Sequence, residues 1–243
     1  TGRLGEPQPV MDLLQKHDGL IILGDPGAGK TTFLKALALR LALGEGEVLG
    51  LNHRLPVLVP LSAYANALAE EDVRLDTFIA DHFHDIGADL PIAAILEEAF
   101  SSGAALILLD GLDEVKDPAR RHTVVERVMD FYTFHRRQGN KFVLTSRIVG
   151  YRAVRSTAPG LAECTLIDFD AEEITAFVTR WTQTLERQAL GEGGVYRTDA
   201  EREQQELLDA IRRNPGVRQL AANPLLLTIL ALMKRQGVVL PER

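Results

Sequence analysis

Nine consecutive residues, Gly24-Asp25-Pro26-Gly27-Ala28-Gly29-Lys30-Thr31-Thr32, contain the pattern G-x-x-x-x-G-K-[ST], a spacing suited to holding phosphate. Glycines let successive backbone N–H groups converge on phosphate oxygens, and the helix that follows points its positive end at them. In such a loop Lys30 reaches the β- and γ-phosphates, and the Thr31 hydroxyl sits on Mg²⁺. The apolar run Leu20-Ile21-Ile22-Leu23 leads into the loop, and Phe33, Leu34, Leu37 and Leu41 recur at helical spacing after it. Strand, loop and helix together imply a nucleoside triphosphate site. The competing reading is a glycine-rich turn with a chance lysine.

A second constellation lies 80 residues beyond Lys30, where Leu106-Ile107-Leu108-Leu109 ends in Asp110. An acid at the carboxyl end of a buried strand faces the crevice where open α/β sheets bind ligands. Asp110 is therefore placed to hold Mg²⁺ through the water shell that ion retains. Gly111-Leu112-Asp113-Glu114 adds two carboxylates. One of them would deprotonate the attacking water, which requires a base within about 3 Å of it. Glu114 has the better reach and Asp113 is the alternative, unless both only supply negative charge ahead of the next helix. Thr145-Ser146-Arg147 ends another apolar run. Arg147 there could pair with a γ-phosphate, since a guanidinium fork matches phosphate oxygens, or it could be a plain exposed arginine. Arg152 and Arg155 read as solvated or interface charges.

These residues need a scaffold of alternating strands and helices. Expected strands are Leu20–Leu23, Pro56–Leu61, Ala105–Leu109, Lys141–Thr145 and Cys164–Ile167. The uninterrupted apolar runs mark strands buried on both faces, as in a parallel sheet. Helices are expected over Val10–Lys16, from Lys30 to about Leu43, around Leu75–Phe83 and Ile92–Phe100, and over Pro118–His135. Beyond Ala171 only helical periodicity remains, in Ala171–Glu186, Ala200–Arg213 and Pro224–Lys234, with Gly191-Glu192-Gly193-Gly194 as a flexible loop. The expected fold class is α/β, a mainly parallel five-stranded sheet flanked by helices. A phosphate-binding core over residues 1–168 precedes a helical subdomain over 169–243.

Composition is that of a globular chain: 243 residues, 46% hydrophobic and 25% charged. A net charge of −7 argues against a surface built for nucleic acid or anionic lipid. The dense basic groups Arg120-Arg121-His122 and Arg136-Arg137 read as solvated helix faces. The lone Cys164 excludes an intrachain disulfide, fits a reducing cytoplasm, and reads as a small buried residue. No apolar run reaches the roughly 18 residues of a membrane helix. Thr1 at the start, and Pro241-Glu242-Arg243 with no helix stop before it, read as ends cut from something longer.

With these motifs in place, the chain from about Val10 onward resembles the NACHT family of signal-transducing NTPases, within the AAA+-related STAND group. Asp110-Gly111-Leu112-Asp113-Glu114 carries the resemblance: an aspartate, a small residue, an apolar residue, then two acids. Lys141 to Arg147 resembles the family's sensor strand, and Phe177 with Arg180-Trp181 resembles the opening of its helical subdomain. Asn223-Pro224-Leu225-Leu226-Leu227 resembles the segment whose proline lies near the adenine, which implies a contact for Pro224. Pro224 equally reads as the start of an apolar core helix.

The resemblance implies a P-loop NTPase of AAA+/STAND type, a Mg²⁺-dependent and slow ATPase that rests with ADP and self-associates into rings or filaments with ATP. Flanking effector and sensor domains would complete it. The Ala-, Leu- and Arg-rich composition suggests a bacterial source, with antiphage defence as the setting. Relatives close a winged-helix region and a histidine over ADP. This sequence stops at Arg243 and none of its six histidines stands in that position, so looser nucleotide binding is implied. An AAA+ remodelling or DNA-handling ATPase is the alternative, though such a motor would carry a basic stripe. A small-molecule kinase would need a lid and an arginine-rich pocket. The guanine-reading Asn-Lys-x-Asp signature is absent, which favours ATP. An arginine finger supplied in trans could be Arg120, Arg121, Arg152 or none.

Overall fold

A computed structural model describes residues 5–85, 90–190 and 197–238 of the chain. Two compact units emerge, one holding the residues up to Asp25 and Lys30–Leu166, the other Pro26–Gly29 and the residues from Ile167 on.

The first unit contains α1 (Val10–Lys16), β1 (Gly19–Leu23), α2 (Lys30–Ala42), β2 (Leu55–Pro60), α3 (Leu61–Glu70), α4 (Leu75–Asp85) and α5 (Ile92–Ser101). It continues through β3 (Ala105–Asp110), α6 (Pro118–His135), β4 (Lys141–Ser146), α7 (Ile148–Arg152) and β5 (Leu161–Thr165). The strands lie in the order β2-β3-β4-β1-β5, and every pairing is parallel. Parallel strands need crossovers that cover both faces, so their sequences are apolar on both sides. Alternate residues divide accordingly. Ile21, Leu23, Val57, Val59, Ile107, Leu109 and Leu144 pack with α3, α4, α5 and α6. Leu20, Ile22, Leu106, Leu108 and Val143 pack against α1 and α2. Each such side chain contributes about 1.5–3 kcal/mol on burial.

The amino edge of the sheet is tied down by polar side chains. Arg54 Nη1 donates to the carbonyls of Gly103 (2.9 Å), Ala105 (3.1 Å) and Gly139 (2.9 Å). Lys141 Nζ donates to Leu14, Gln15 and His17, satisfying carbonyls left over at the end of α1. Asn140, 1% exposed, accepts from the Ala105 N–H at 3.0 Å and donates to the carbonyls of Phe100 (2.7 Å) and His135 (3.0 Å).

The second unit contains α8 (Ala171–Leu190), α9 (Arg197–Arg213), α10 (Pro215–Ala221) and α11 (Pro224–Arg235) around Ile174, Val178, Leu208, Ile211, Leu227 and Leu230. One capping device occurs twice. Asn214 Oδ1 accepts from the N–H groups of Gly216 and Val217, and Asn223 Oδ1 from those of Leu225 and Leu226, each asparagine preceding a proline at the first helical position. Asp170 and Glu173 form a reciprocal capping box at the start of α8. Phe177 and Trp181 stack at 5.9 Å. The expected Gly191–Gly194 loop lies outside the described residues.

Four elements differ from expectation. The fifth strand runs Leu161–Thr165 rather than Cys164–Ile167, with Ile22 paired to Cys164. β5 is an edge strand and its residues are mostly half-exposed, so the stronger apolar signal of Leu166-Ile167 falls past its end, where Ile167 is exposed. Helix α3 was not anticipated, because Pro60 closes β2 and serves at once as its N-cap, leaving no turn between them. Helices α7 and α10 are too short to show periodicity. Cys164 is free and half-buried, and burial pushes its thiol up to about 11.

Replacing Asn140 by Ala would strand one buried N–H and two carbonyls. We expect a loss of about 2–4 kcal/mol in urea denaturation, against less than 1 kcal/mol for exposed Gln205→Ala.

Candidate functional site at the carboxyl edge of the sheet

The parallel sheet brings the carboxyl ends of β1, β3 and β4 to one edge. Leu109 pairs with Leu144, so the next residues, Asp110 and Thr145, stand side by side, and Ile22 pairs with Thr145 from the other flank. The loop from Gly24 leaves this edge. Gly27 and Gly29 both adopt positive φ, +80° and +88°, which only glycine accepts without strain. Lys30, the first residue of α2, turns its ammonium back over the loop, donating to the carbonyls of Gly24 (2.7 Å) and Asp25 (3.0 Å). Burial lowers the Lys30 pKa. Asp113, Asp110 and Asp25 raise it, while Arg147 lowers it. Four charged side chains, from the end of β3, the segments following β3 and β4, and the loop, are thus within electrostatic reach of Lys30. That convergence is the physical content of the site.

Asp110 is positioned by a residue not singled out above. The Thr145 hydroxyl donates to Asp110 Oδ1 at 2.5 Å and accepts from the Gly111 N–H at 2.9 Å, with Thr145 wholly buried. Its signal was a polar residue ending an otherwise apolar strand beside the acid, which register alone could reveal. Gly111 then turns the chain in the left-handed region, φ +75°, into a 3₁₀ turn over Leu112–Glu114. There Asp113 accepts from the Arg147 backbone N–H through Oδ1 (2.9 Å) and pairs with the Arg147 guanidinium through Oδ2 (2.9 Å). The Glu114 side chain folds over Gly111, its Oε2 accepting a long 3.4 Å bond from Ser62 Oγ at the start of α3. Thr31 and Thr32 are exposed.

Among the described residues no cluster of three or more His, Cys, Asp or Glu side chains is set to hold a metal. Asp110 and Thr31 offer one carboxylate and one hydroxyl, an all-oxygen set. This fits a magnesium ion that keeps most of its waters and takes further ligands from phosphates.

Within the second unit, Asn223 Nδ2 donates to the Pro26 carbonyl (3.1 Å) and the Leu225 N–H to the Gly27 carbonyl (3.2 Å). A Cβ on Gly27 would lie 2.7 Å from Asn223 Oδ1. Pro224 sits between these contacts at the first position of α11. Of the other arginines, Arg121 is committed through Nε and Nη2 to the Val115 carbonyl, and Arg155 to Glu163.

The sequence matches the family model described as NACHT domain over residues 18–184. Among curated proteins there is no match. The structure of C. elegans PCH-2 is similar over 94% of this chain, at 13% identity and a TM-score of 0.43, and the chain spans 66% of that structure's length. No single helix among the described residues is long and apolar enough to cross a membrane.

Thr145→Val keeps the shape of the buried side chain while stranding the Asp110 oxygen and the Gly111 N–H. A loss of about 1–3 kcal/mol in chemical denaturation is expected, mostly recovered in Thr145→Ser.

Proposed function

The chain belongs to the NACHT family, and on that premise we propose that it binds ATP with Mg²⁺ and hydrolyses it slowly, as a switch for self-association. A NACHT domain is a nucleotide-binding NTPase domain, and that much holds for this chain. The observation that supports the finer reading is the convergence of Asp110, Asp113 and Arg147 on Lys30 beside a glycine-rich loop.

Each group has a task in this reading. Lys30 exchanges the loop carbonyls for the β- and γ-phosphate oxygens, which the loop N–H groups of Asp25 and of Gly27 to Thr32 also face. Asp110, aligned by Thr145, and Thr31 would hold Mg²⁺, which neutralises phosphate charge when bound. Glu114 orients and deprotonates the attacking water, and Arg147 reports the γ-phosphate. Pro224 is assigned to the adenine on the family resemblance. ATP-driven assembly into a ring or filament, signalling through flanking effector and sensor domains, a cytoplasmic location and a bacterial antiphage setting complete the proposal.

The test is binding and hydrolysis of ATP and GTP with Mg²⁺ by this chain, Lys30→Ala and Glu114→Gln. ATP-selective binding is expected, weakened at least about tenfold in Lys30→Ala. Glu114→Gln is expected to keep binding and to lose about 10²–10⁴ in turnover, the usual worth of a positioned base. Fast turnover stimulated by DNA would favour the remodelling alternative. Absence of nucleotide binding by the unmutated chain would overturn the reading.

A further inference from the structure

The two carboxylates after Asp110 are built into the fold differently. Asp113 spends both oxygens on one residue, Oδ1 on the Arg147 backbone N–H and Oδ2 on its guanidinium, each at 2.9 Å. Its side chain is only 13% exposed, whereas that of Arg147 is 56% exposed. The residue three beyond Arg147 is Gly150, and a Cβ there would come 2.8 Å from Asp113 Cβ and 3.2 Å from its Cα. The start of α7 therefore rests directly on the 3₁₀ turn, and Asp113 fills the join. Among the described residues, Glu114 has no such commitment beyond the long bond from Ser62.

A general base needs an oxygen directed at the attacking water. Both oxygens of Asp113 are directed at Arg147 instead. The backbone bond fixes where Arg147 begins, and the ion pair decides where its side chain ends. The exposed guanidinium can swing; the N–H cannot.

We propose that Asp113 is a positioning residue that tethers Arg147 by its backbone and competes with the γ-phosphate for its guanidinium, so setting the preference between nucleoside triphosphate and diphosphate. The inference rests on the reading of this site as an ATP site. A γ-phosphate offers the fork two oxygens and more negative charge than one carboxylate, so ATP draws the guanidinium away from Asp113. ADP offers no such rival, and the Asp113–Arg147 pair persists. The Oδ1 bond to the Arg147 N–H is kept in both states, so the exchange needs only side-chain rotation.

Asp113→Asn removes the charge and keeps an oxygen for the Arg147 N–H. Dissociation constants for fluorescent mant-ATP and mant-ADP, with kcat and KM for ATP, would be measured for the unmutated chain, Asp113→Asn, Arg147→Ala and the double variant. In Asp113→Asn the preference for triphosphate over diphosphate is expected to rise about three- to tenfold, the range of a part-exposed ion pair. KM should fall more than kcat. In the Arg147→Ala background the same substitution should leave the ratio unmoved. An unchanged ratio in both backgrounds, or an equal rise in both, overturns the proposal. So does loss of turnover with the ratio intact, which would make Asp113 the base. If Asp113→Asn does not fold, Arg147→Gln is measured alone: loss of the triphosphate preference is expected, and its retention overturns the proposal. Failure of the unmutated chain to bind either nucleotide would instead remove the underlying ATP reading.

Discussion

Parallel pairing is the constraint on which the rest of this chain depends. Because β2, β3, β4, β1 and β5 all run the same way, every crossover must return across a face of the sheet. Both faces are thereby covered and the strand residues divide into two apolar sets. The same geometry gives the sheet two unlike edges. At the amino edge Arg54, Asn140 and Lys141 spend their donors on backbone carbonyls and hold segments together. At the carboxyl edge the polar residues pair with one another instead, as in Asp110 with Thr145 and Asp113 with Arg147, and their charges act on Lys30.

The site is consequently a set of linked pairs rather than a collection of independent side chains. Thr145 ties the acid of β3 to the strand beside it. Asp113 ties the turn after β3 to the segment after β4. Gly111 and Gly150 make both links possible, the first by turning left-handed and the second by having no side chain where α7 meets the turn. A displacement of β4 relative to β3 would strain both links, so the Asp110 carboxylate and the Arg147 N–H are held by the strand register, while the exposed Arg147 guanidinium can still rotate.

Most of the fold could be read from the sequence because parallel strands write themselves as apolar runs and α6 announces itself with proline at its first position. The five-stranded α/β architecture emerged from that pattern. What was unreadable shares a physical cause: the informative feature was a relation between distant residues. β5 gains its place from pairing with β1 rather than from its own weak alternation, and α3 follows β2 without a turn to mark it. At the candidate site the glycine-rich loop and the acid ending β3 were visible because a strand or loop neighbour carries the signal. Thr145 and the engagement of Asp113 with Arg147 were not, since 34 or 35 residues separate the partners and only the β3–β4 register brings them together.

Arg54 carries a consequence in time rather than in space. A single nitrogen of its guanidinium gathers three carbonyls lying 49, 51 and 85 residues away along the chain. Contacts of such separation cost loop-closure entropy that is recovered only once intervening segments are already placed. The amino edge is therefore expected to lock only after β2, β3 and β4 lie side by side, with Arg54 a late fastening of the core. An interaction formed after the transition state governs how slowly the native protein comes apart, not how quickly it assembles. This arginine is therefore expected to act on the lifetime of the folded state.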